Sequence, residues 1–206
     1  MIALVDYGAG NLASVRKALT TVGAEFFTPA AAGELDTVSG IIVPGVGHFA
    51  ATRALGSEWH AAIRGAVARG AALFGICLGM QWLFEGSTEA PDVPGLGLIA
   101  GRCHRLEPPS DGAALKIPHV GWNSLDPPRA SVLMAGVTPG AQVYFTHSYV
   151  APVVAEAAAL TTYGEPFTAA VERGRISGVQ FHPEKSGDVG LRILQNWLGA
   201  ACSRNA

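Results

Sequence analysis

The chain has little charge, few cysteines and no long apolar run. Only 15% of its 206 residues are charged, the formal net charge is −2, and no basic run occurs. This composition favours neither a nucleic acid nor an anionic membrane as a partner. The apolar runs are too short to span a bilayer, and Met1 is followed at once by a strand-like segment instead of a signal peptide. We therefore expect a cytoplasmic protein.

The cysteines form an odd and sparse set. They are Cys77, Cys103 and Cys202. Such a set argues against a disulfide framework and leaves room for a functional thiol. We expect Cys103 and Cys202 to be inert.

Hydrophobic residues make up 49% of the chain, which suits a sheet covered on both faces. In the first half, apolar segments alternate with helical patterns, which predicts a parallel, doubly wound sheet. The expected strands there are residues 2–6, 24–28, 40–43 and 71–76, and the expected helices are 11–22, 59–69 and 78–84. Shorter strands follow near 99–106, 142–147, 153–162, 167–172 and 176–181, before a last helix over 189–198. We predict one α/β domain over residues 1–206, flavodoxin-like, with mixed or antiparallel additions in the second half of a mostly parallel sheet.

One segment predicts a nucleophile. Residues 71–76 form an apolar run that leads into Gly75-Ile76-Cys77-Leu78-Gly79, a pattern typical of a sharp strand-to-helix turn that exposes a nucleophile above a sheet edge. A thiol attacks as the thiolate, so Cys77 needs a nearby imidazole. A lone buried cysteine is more often an inert core residue.

A second segment, over a hundred residues later, supplies that imidazole. His182 follows an apolar strand, and Glu184 lies two residues on. In an extended strand both side chains leave on the same face, so the carboxylate can orient the ring. A single histidine is usually satisfied or solvated, but the two segments together predict a triad of Cys77, His182 and Glu184.

Residues 75–81 (GICLGMQ) and 182–184 (HPE) resemble the class I, or triad, glutamine amidotransferases, which release ammonia from glutamine. Further segments resemble the branch of that family that serves as glutaminase subunits of imidazole glycerol phosphate synthases in histidine biosynthesis. These segments are 6–12 (DYGAGNL), 44–49 (PGVGHF), 118–123 (PHVGWN), 144–149 (YFTHSY) and 182–186 (HPEKS). The resemblance implies a glutamyl thioester on Cys77. It also implies a heterodimer with a separate (β/α)8 barrel cyclase that consumes the ammonia.

The resemblance also implies roles around the nucleophile. Attack on the amide of L-glutamine creates an oxyanion, which needs aimed N–H donors. The backbone N–H groups of Leu78 and of Val46, in the glycine-flanked loop 44–47, are the expected donors; an ordinary tight turn is the alternative for that loop. The expected glutamine-binding residues are Gly45, Gly47, Gln81, Glu89 and the backbone of His147, Ser148 and Tyr149.

A surface for the cyclase is expected around Trp122 and Lys185. Trp122 lies in a loop that faces the partner in this family, and Lys185 directly follows the triad glutamate, where it can pair with a partner's carboxylate. Further expected members are Asn11, Arg16, His119, Asn123 and Tyr144. We expect no cofactor and no metal, because no Cys/His cluster accompanies His182 and Glu184.

Two other classes stay open from the sequence. Residues 8–13 (GAGNLA) fit a permissive dinucleotide fingerprint, but the acidic residue expected about 20 positions on, at the end of the second strand, is missing. The other alternative is a different thiol hydrolase, such as a peptidase or the glutaminase of another synthase.

Overall fold

The structure is a computed structural model that describes residues 1–109, 114–127 and 129–203. The strands are β1 (Ile2–Leu4), β2 (Phe26–Phe27), β3 (Gly40–Val43), β4 (Ala72–Ile76), β5 (Gly86–Ser87), β6 (Arg102–Arg105), β7 (His119–Ser124), β8 (Gln142–His147), β9 (Tyr149–Val150), β10 (Ala157–Tyr163), β11 (Glu165–Arg173) and β12 (Ile176–Val179). The α-helices are α1 (Leu12–Thr21), α2 (Ser57–Ala68), α3 (Leu78–Leu83) and α4 (Gly187–Cys202). Three short 3-10 helices cover Ala32–Leu35, Phe49–Ala54 and Pro183–Lys185.

A central sheet of seven strands organises the fold, in the order β10-β11-β12-β4-β3-β1-β2. The strands from β12 to β2 run parallel, whereas β10 and β11 add to the sheet antiparallel. The strand pair β7-β8 and the small sheet β5-β6-β9 lie outside it. This arrangement confirms the predicted fold class.

Both faces of the central sheet are buried, because consecutive side chains on each strand enter opposite cores. Leu4, Ile42 and Phe74 pack into one core with α1 and α4. Their neighbours in the strands, such as Ile41 and Leu73, pack into the other core with α2 and α3. Each fully buried aliphatic side chain contributes about 1.5–3 kcal/mol, which holds the helices on the sheet.

The carboxyl ends of β3, β4 and β12 meet at one edge of the sheet. The register pairs Val43 with Gly75 and Val179 with Ile76. The segments that follow these strands are therefore brought together although they are far apart in sequence. Such an edge is where open α/β sheets place their sites.

Some sequence predictions differ from the structure. β3 and β8 have the predicted bounds, but β2 is only two residues long, and the strand β7 was not predicted. The alternation in β7 is inverted, because its exposed face carries the apolar Val120 and Trp122 while His119 points inward. Within the described ranges, none of the helices is long and apolar enough to cross a membrane.

Candidate active site

Cys77 occupies the sharp turn between β4 and α3. Its φ is 53°, a left-handed conformation rare for residues other than glycine. The backbone N–H of Cys77 donates to Val179 O at 2.8 Å, which ties the turn to β12. A Cβ atom on Gly75 would lie 2.6 Å from the backbone of Gly79. The glycine before the turn is thus required by close packing, as in a nucleophile elbow.

His182 and Glu184 form a buried pair beside this turn. His182 Nδ1 lies 2.7 Å from Glu184 Oε1, and both side chains are 2% exposed. The expectation of an extended strand here was wrong, since Pro183–Lys185 is a short 3-10 helix. Pro183 favours a helical φ at its first position, so the chain turns directly after His182. The turn brings the carboxylate back onto the ring.

Charge and hydrogen bonding define the state of this histidine. Burial alone would lower the pKa of His182, but its interactions with Cys77 and Glu184 outweigh burial and raise the pKa. His182 Nε2, the nitrogen not used by Glu184, is buried and has no hydrogen bond of normal geometry among the described residues. The arrangement therefore favours the imidazolium form of His182, next to the thiol that it is expected to activate.

A cavity of about 270 Å³ opens beside Cys77. Most of its lining residues are ones that the sequence predicted, whereas Pro118 and Thr146 were not. The lining residues are Gly47, Cys77, Leu78, Gln81, Glu89, Pro118, Thr146, His147, Ser148 and Tyr149. The structure therefore brings seven predicted binding or nucleophile residues and the predicted donor Leu78 to one cavity; Gly45 and Val46 do not line it.

Gln81 and Glu89 already have partners in the cavity. Gln81 Nε2 donates to Tyr149 O at 2.9 Å and to Gln180 Oε1 at 3.0 Å. Glu89 Oε2 accepts from the backbone N–H of Phe49 at 2.7 Å. The carboxylate is thereby fixed at the cavity wall by one oxygen.

The two expected oxyanion donors are turned to other acceptors. Val46 N–H donates to Ala9 O at 2.9 Å, and Leu78 N–H donates to Gly45 O at 3.3 Å. Gly45 is held between Leu78 and Tyr7, because a Cβ at this position would lie 2.9 Å from Leu78 Cβ and would overlap the Tyr7 hydroxyl. Burial, with the nearby charge of Cys77, raises the pKa of Tyr7.

A buried histidine pair supports the rim of the cavity. His147 Nδ1 donates to Tyr149 O at 3.0 Å, so its Nε2 accepts from His119 Nδ1 at 3.1 Å. Asn123 Nδ2 donates to His119 Nε2 at 3.4 Å and is the last member of this series of hydrogen bonds. Burial lowers the pKa of His119 to about 4, and burial together with the neighbouring His119 lowers the pKa of His147 to about 3. Both rings are therefore neutral at physiological pH.

The residues expected at the partner surface differ in how far they are exposed. Trp122 is 57% exposed and lies edge-on to Tyr144, whose ring centre is 5.8 Å from Lys185 Nζ. His119, in contrast, is 2% exposed and stacks on Phe145 and Tyr163. Its side chain therefore cannot contact a partner directly in this arrangement.

Asn11 and Arg16 have local roles at the start of the fold. Asn11 accepts from Ser14 N–H at 3.5 Å and caps α1, while Arg16 donates to Thr28 Oγ1 at 2.9 Å. Both side chains are exposed enough to meet another chain.

Sequence reasoning missed Gln180 and Tyr7. Gln180 precedes His182 by two residues, so side-chain alternation along an extended segment would place it on the same face. Tyr7 follows the carboxyl end of β1, on the same sheet edge as Cys77.

Comparison with known proteins decides the family. The sequence model of the family Glutamine amidotransferase class-I matches residues 3–200. The Deinococcus radiodurans protein named imidazole glycerol phosphate synthase subunit HisH is 42% identical over 95% of this chain and 92% of its own length. The HisH subunit of Geobacillus kaustophilus is 44% identical over 99% of both chains. The chain is a class I glutamine amidotransferase of the HisH family.

Solved structures share the fold of this HisH-family chain. One is described as a glutamine amidotransferase, with a TM-score of 0.76 and 21% identity over 98% of this chain and 100% of that chain. PurLQS from Thermotoga maritima has a TM-score of 0.73 and 19% identity over 96% of this chain and 97% of that chain. At these identities the comparison shows the fold alone. The family match also spans residues 8–13, so the dinucleotide-binding alternative finds no support.

Proposed function

We propose that this chain is the glutaminase subunit of an imidazole glycerol phosphate synthase. It hydrolyses glutamine to glutamate and ammonia, and a cyclase subunit uses the ammonia to form imidazole glycerol phosphate and an aminoimidazole carboxamide ribonucleotide. The observation that carries the proposal is Cys77 in its strained turn, lining a cavity and beside the buried His182–Glu184 pair.

The geometry supports a two-step acyl transfer. The Cys77 thiolate attacks the side-chain amide carbon of glutamine, and His182 gives its proton to the nitrogen that leaves as ammonia. The thioester is then attacked by water, whose proton passes to His182 as the thiolate leaves. Glu184 holds the ring in one orientation and stabilises its positive charge.

Residues in the wall of the cavity are proposed to bind glutamine. Glu89 Oε2 accepts from Phe49 N–H, whereas Glu89 Oε1 has no hydrogen-bond partner among the described residues, and the negative charge of Glu89 suits the ammonium group of the substrate. Residues 147–149 line the same cavity, and their backbone is proposed to hold the substrate carboxylate. Gln81 extends from the first turn after Cys77 and reaches the reacting end.

Oxyanion stabilisation requires a change from the present arrangement. Val46 N–H and Leu78 N–H are the proposed donors, and both are bonded elsewhere. Removing one oxyanion donor typically costs a factor of about 100–1,000 in kcat. The chain in this arrangement is therefore proposed to be a poor glutaminase.

The cyclase is proposed to dock on the surface around Trp122, Tyr144 and Lys185. Val120 and Trp122 are exposed on one strand, at 54% and 57%, and exposed large apolar side chains grouped together mark interaction sites. A heterodimer with a (β/α)8 barrel and a cytoplasmic location are part of this proposal.

Reconstitution with the cyclase tests the function. The complex is given the cyclase substrate with either glutamine or ammonium, and imidazole glycerol phosphate is measured. We expect glutamine to support product formation only when this chain is present, whereas ammonium supports it with the cyclase alone. No glutamine turnover in the complex, with hydrolysis of a peptide or ester instead, would favour another thiol hydrolase.

A further inference from the structure

We propose that Gln180 is a positioning residue for the nucleophile: its side-chain N–H holds the Cys77 sulfur and stabilises the thiolate. This inference rests on the proposed function, because it assigns Gln180 a part in preparing Cys77 for attack. It adds a third group on the 180–184 segment, beside the proposed base and its orienting carboxylate.

The contacts place Gln180 against the reacting atom. Gln180 follows β12 directly and is completely buried. Its Nε2 lies 3.6 Å from Cys77 Sγ, within the range of a hydrogen bond to sulfur. Its backbone N–H donates to Ala169 O at 2.8 Å, which fixes the main chain from which the side chain extends.

The hydrogen-bond network settles which end of the amide faces the sulfur. Tyr149 O can only accept, so the Gln81 atom next to it must be the nitrogen. The same nitrogen is 3.0 Å from the Gln180 amide, whose nearer atom must then be the oxygen. Gln180 therefore presents its NH₂ group, and not its oxygen, to Cys77.

Tyr149 O is itself anchored. It also accepts from His147 Nδ1 at 3.0 Å, and His147 is bonded to His119. Both histidines are neutral, so the direction of every hydrogen bond from His119 to Gln180 is determined. Reversing the Gln180 amide would place its nitrogen against the Gln81 nitrogen and its oxygen against the sulfur, which costs two bonds.

A neutral amide donor stabilises a thiolate better than an acidic side chain would. An N–H aimed at sulfur becomes a charge-assisted hydrogen bond when the thiol ionises, and such bonds are about twice as strong as neutral ones. A glutamate at this position has nearly the same shape, but it offers no such donor when ionised and repels the thiolate. A leucine fills a similar volume and offers nothing to the sulfur.

The test compares the pH dependence of Cys77 alkylation in wild-type, Gln180→Glu and Gln180→Leu chains, each in complex with the cyclase. Iodoacetamide is the probe, and the Cys77 peptide is followed by mass spectrometry, which separates it from Cys103 and Cys202. We expect both substitutions to raise the alkylation midpoint, by about one to two pH units for Gln180→Glu. We expect kcat/KM for glutamine to fall about 10- to 100-fold at neutral pH and to recover partly at higher pH.

Ser177→Ala is the matched control, because Ser177 is a buried polar residue on the preceding strand, β12, and lies three positions before Gln180. It should leave the alkylation midpoint unchanged. The charge of Gln180→Glu raises the midpoint by itself, so Gln180→Leu is the deciding variant. A merely structural role for Gln180 would lower the activity of Gln180→Leu at every pH without moving its alkylation midpoint, and that result would overturn the inference. If Gln180→Glu does not fold, the midpoint of Gln180→Leu decides the matter alone.

The proposed function and this inference fail separately. If wild-type complex does not hydrolyse glutamine, the proposed function fails whatever the midpoints are. If wild-type complex is active and Gln180→Leu does not move the alkylation midpoint, only the role of Gln180 is wrong.

Discussion

Docking of the cyclase is expected to raise glutamine turnover by turning the peptide between Gly45 and Val46. In the structure, Val46 N–H donates to Ala9 O and Leu78 N–H donates to Gly45 O, at 2.9 and 3.3 Å. Turning the peptide would point Val46 N–H into the site and remove the carbonyl that occupies Leu78 N–H. Both donors then become available to the oxyanion.

The free energy of these two hydrogen bonds sets how strongly the cyclase can activate glutamine turnover. A backbone hydrogen bond contributes about 0.5–1.5 kcal/mol net, so breaking both costs about 1–3 kcal/mol. This corresponds to about 5- to 150-fold in population. A partner shifts this population by no more than its difference in affinity for the two states. Activation by the cyclase, highest with its nucleotide ligand bound, is therefore expected to fall in that range.

Val46→Gly is the sharpest perturbation of this equilibrium. Turning the peptide rotates ψ of Gly45 and φ of Val46 in opposite senses, which takes φ of Val46 from negative to positive values. A side chain with a left-handed φ costs about 1–2 kcal/mol, and glycine avoids that cost. Val46→Gly is expected to raise the turnover of the isolated chain about 5- to 30-fold and to lower the activation ratio accordingly.

Steady-state kinetics with glutamine measure this for the chain alone, with the cyclase, and with the cyclase and its ligand. Val153→Gly is the matched control, since Val153 is an exposed valine outside the cavity. It should leave the activation ratio as in wild type. Equal turnover of the wild-type chain in all three conditions, or a Val46→Gly chain with no gain when isolated, would refute the reasoning.

Further outcomes follow from the triad and from the buried histidines. Cys77→Ser is expected to abolish glutamine hydrolysis while the complex still forms product from ammonium, and glutaminase assays that detect substantial turnover would contradict this. In the complex, His182→Ala should be nearly as damaging as loss of the thiol, whereas Glu184→Gln should retain more activity; the reverse order of kcat would count against these roles. His119 and His147 have folded-state pKa values of about 4 and about 3, below the usual value near 6.5. Since the unfolded chain binds more protons in this window, the free energy of unfolding should fall as pH drops from 6.5 to 4. Denaturant titrations should show a shallower fall for His119→Gln, and an unchanged slope would exclude His119 as a cause of the fall.

The sequence was most informative where a local pattern has a single conformational solution. Gly75-Ile76-Cys77-Leu78-Gly79 predicted the turn because only glycines fit the close approach of strand and helix there. The proximity of Cys77 to His182 followed from topology, since parallel strands in one sheet end at the same edge. Even the wrong expectation of an extended strand after His182 led to the right pairing, because a short turn also returns Glu184 to the ring.

Other features depend on contacts that no local rule supplies. The orientation of the peptide between Gly45 and Val46 is set by Ala9, which belongs to a distant loop. The burial of His119 depends on stacking with Phe145 and Tyr163, which come from other strands. The direction of the Gln180 amide is decided two residues away, by Tyr149 O acting through Gln81. These features follow from packing across the whole fold and not from spacing in the chain.

The site combines a rigid nucleophile and base with a loop whose orientation is only weakly stabilised. Cys77 and His182 are fixed by main-chain hydrogen bonds to Val179 and Tyr144, within elements whose side chains fill the two cores. The loop over residues 44–47 lies beside them, and the two bonds that hold its present orientation contribute about 1–3 kcal/mol in total. A docking partner can supply this free energy through a few contacts. Rearranging a buried triad would require much more. We therefore expect control through this loop to change turnover strongly while the nucleophile and its base stay in place, so that glutamine would be spared until a consumer of ammonia is docked.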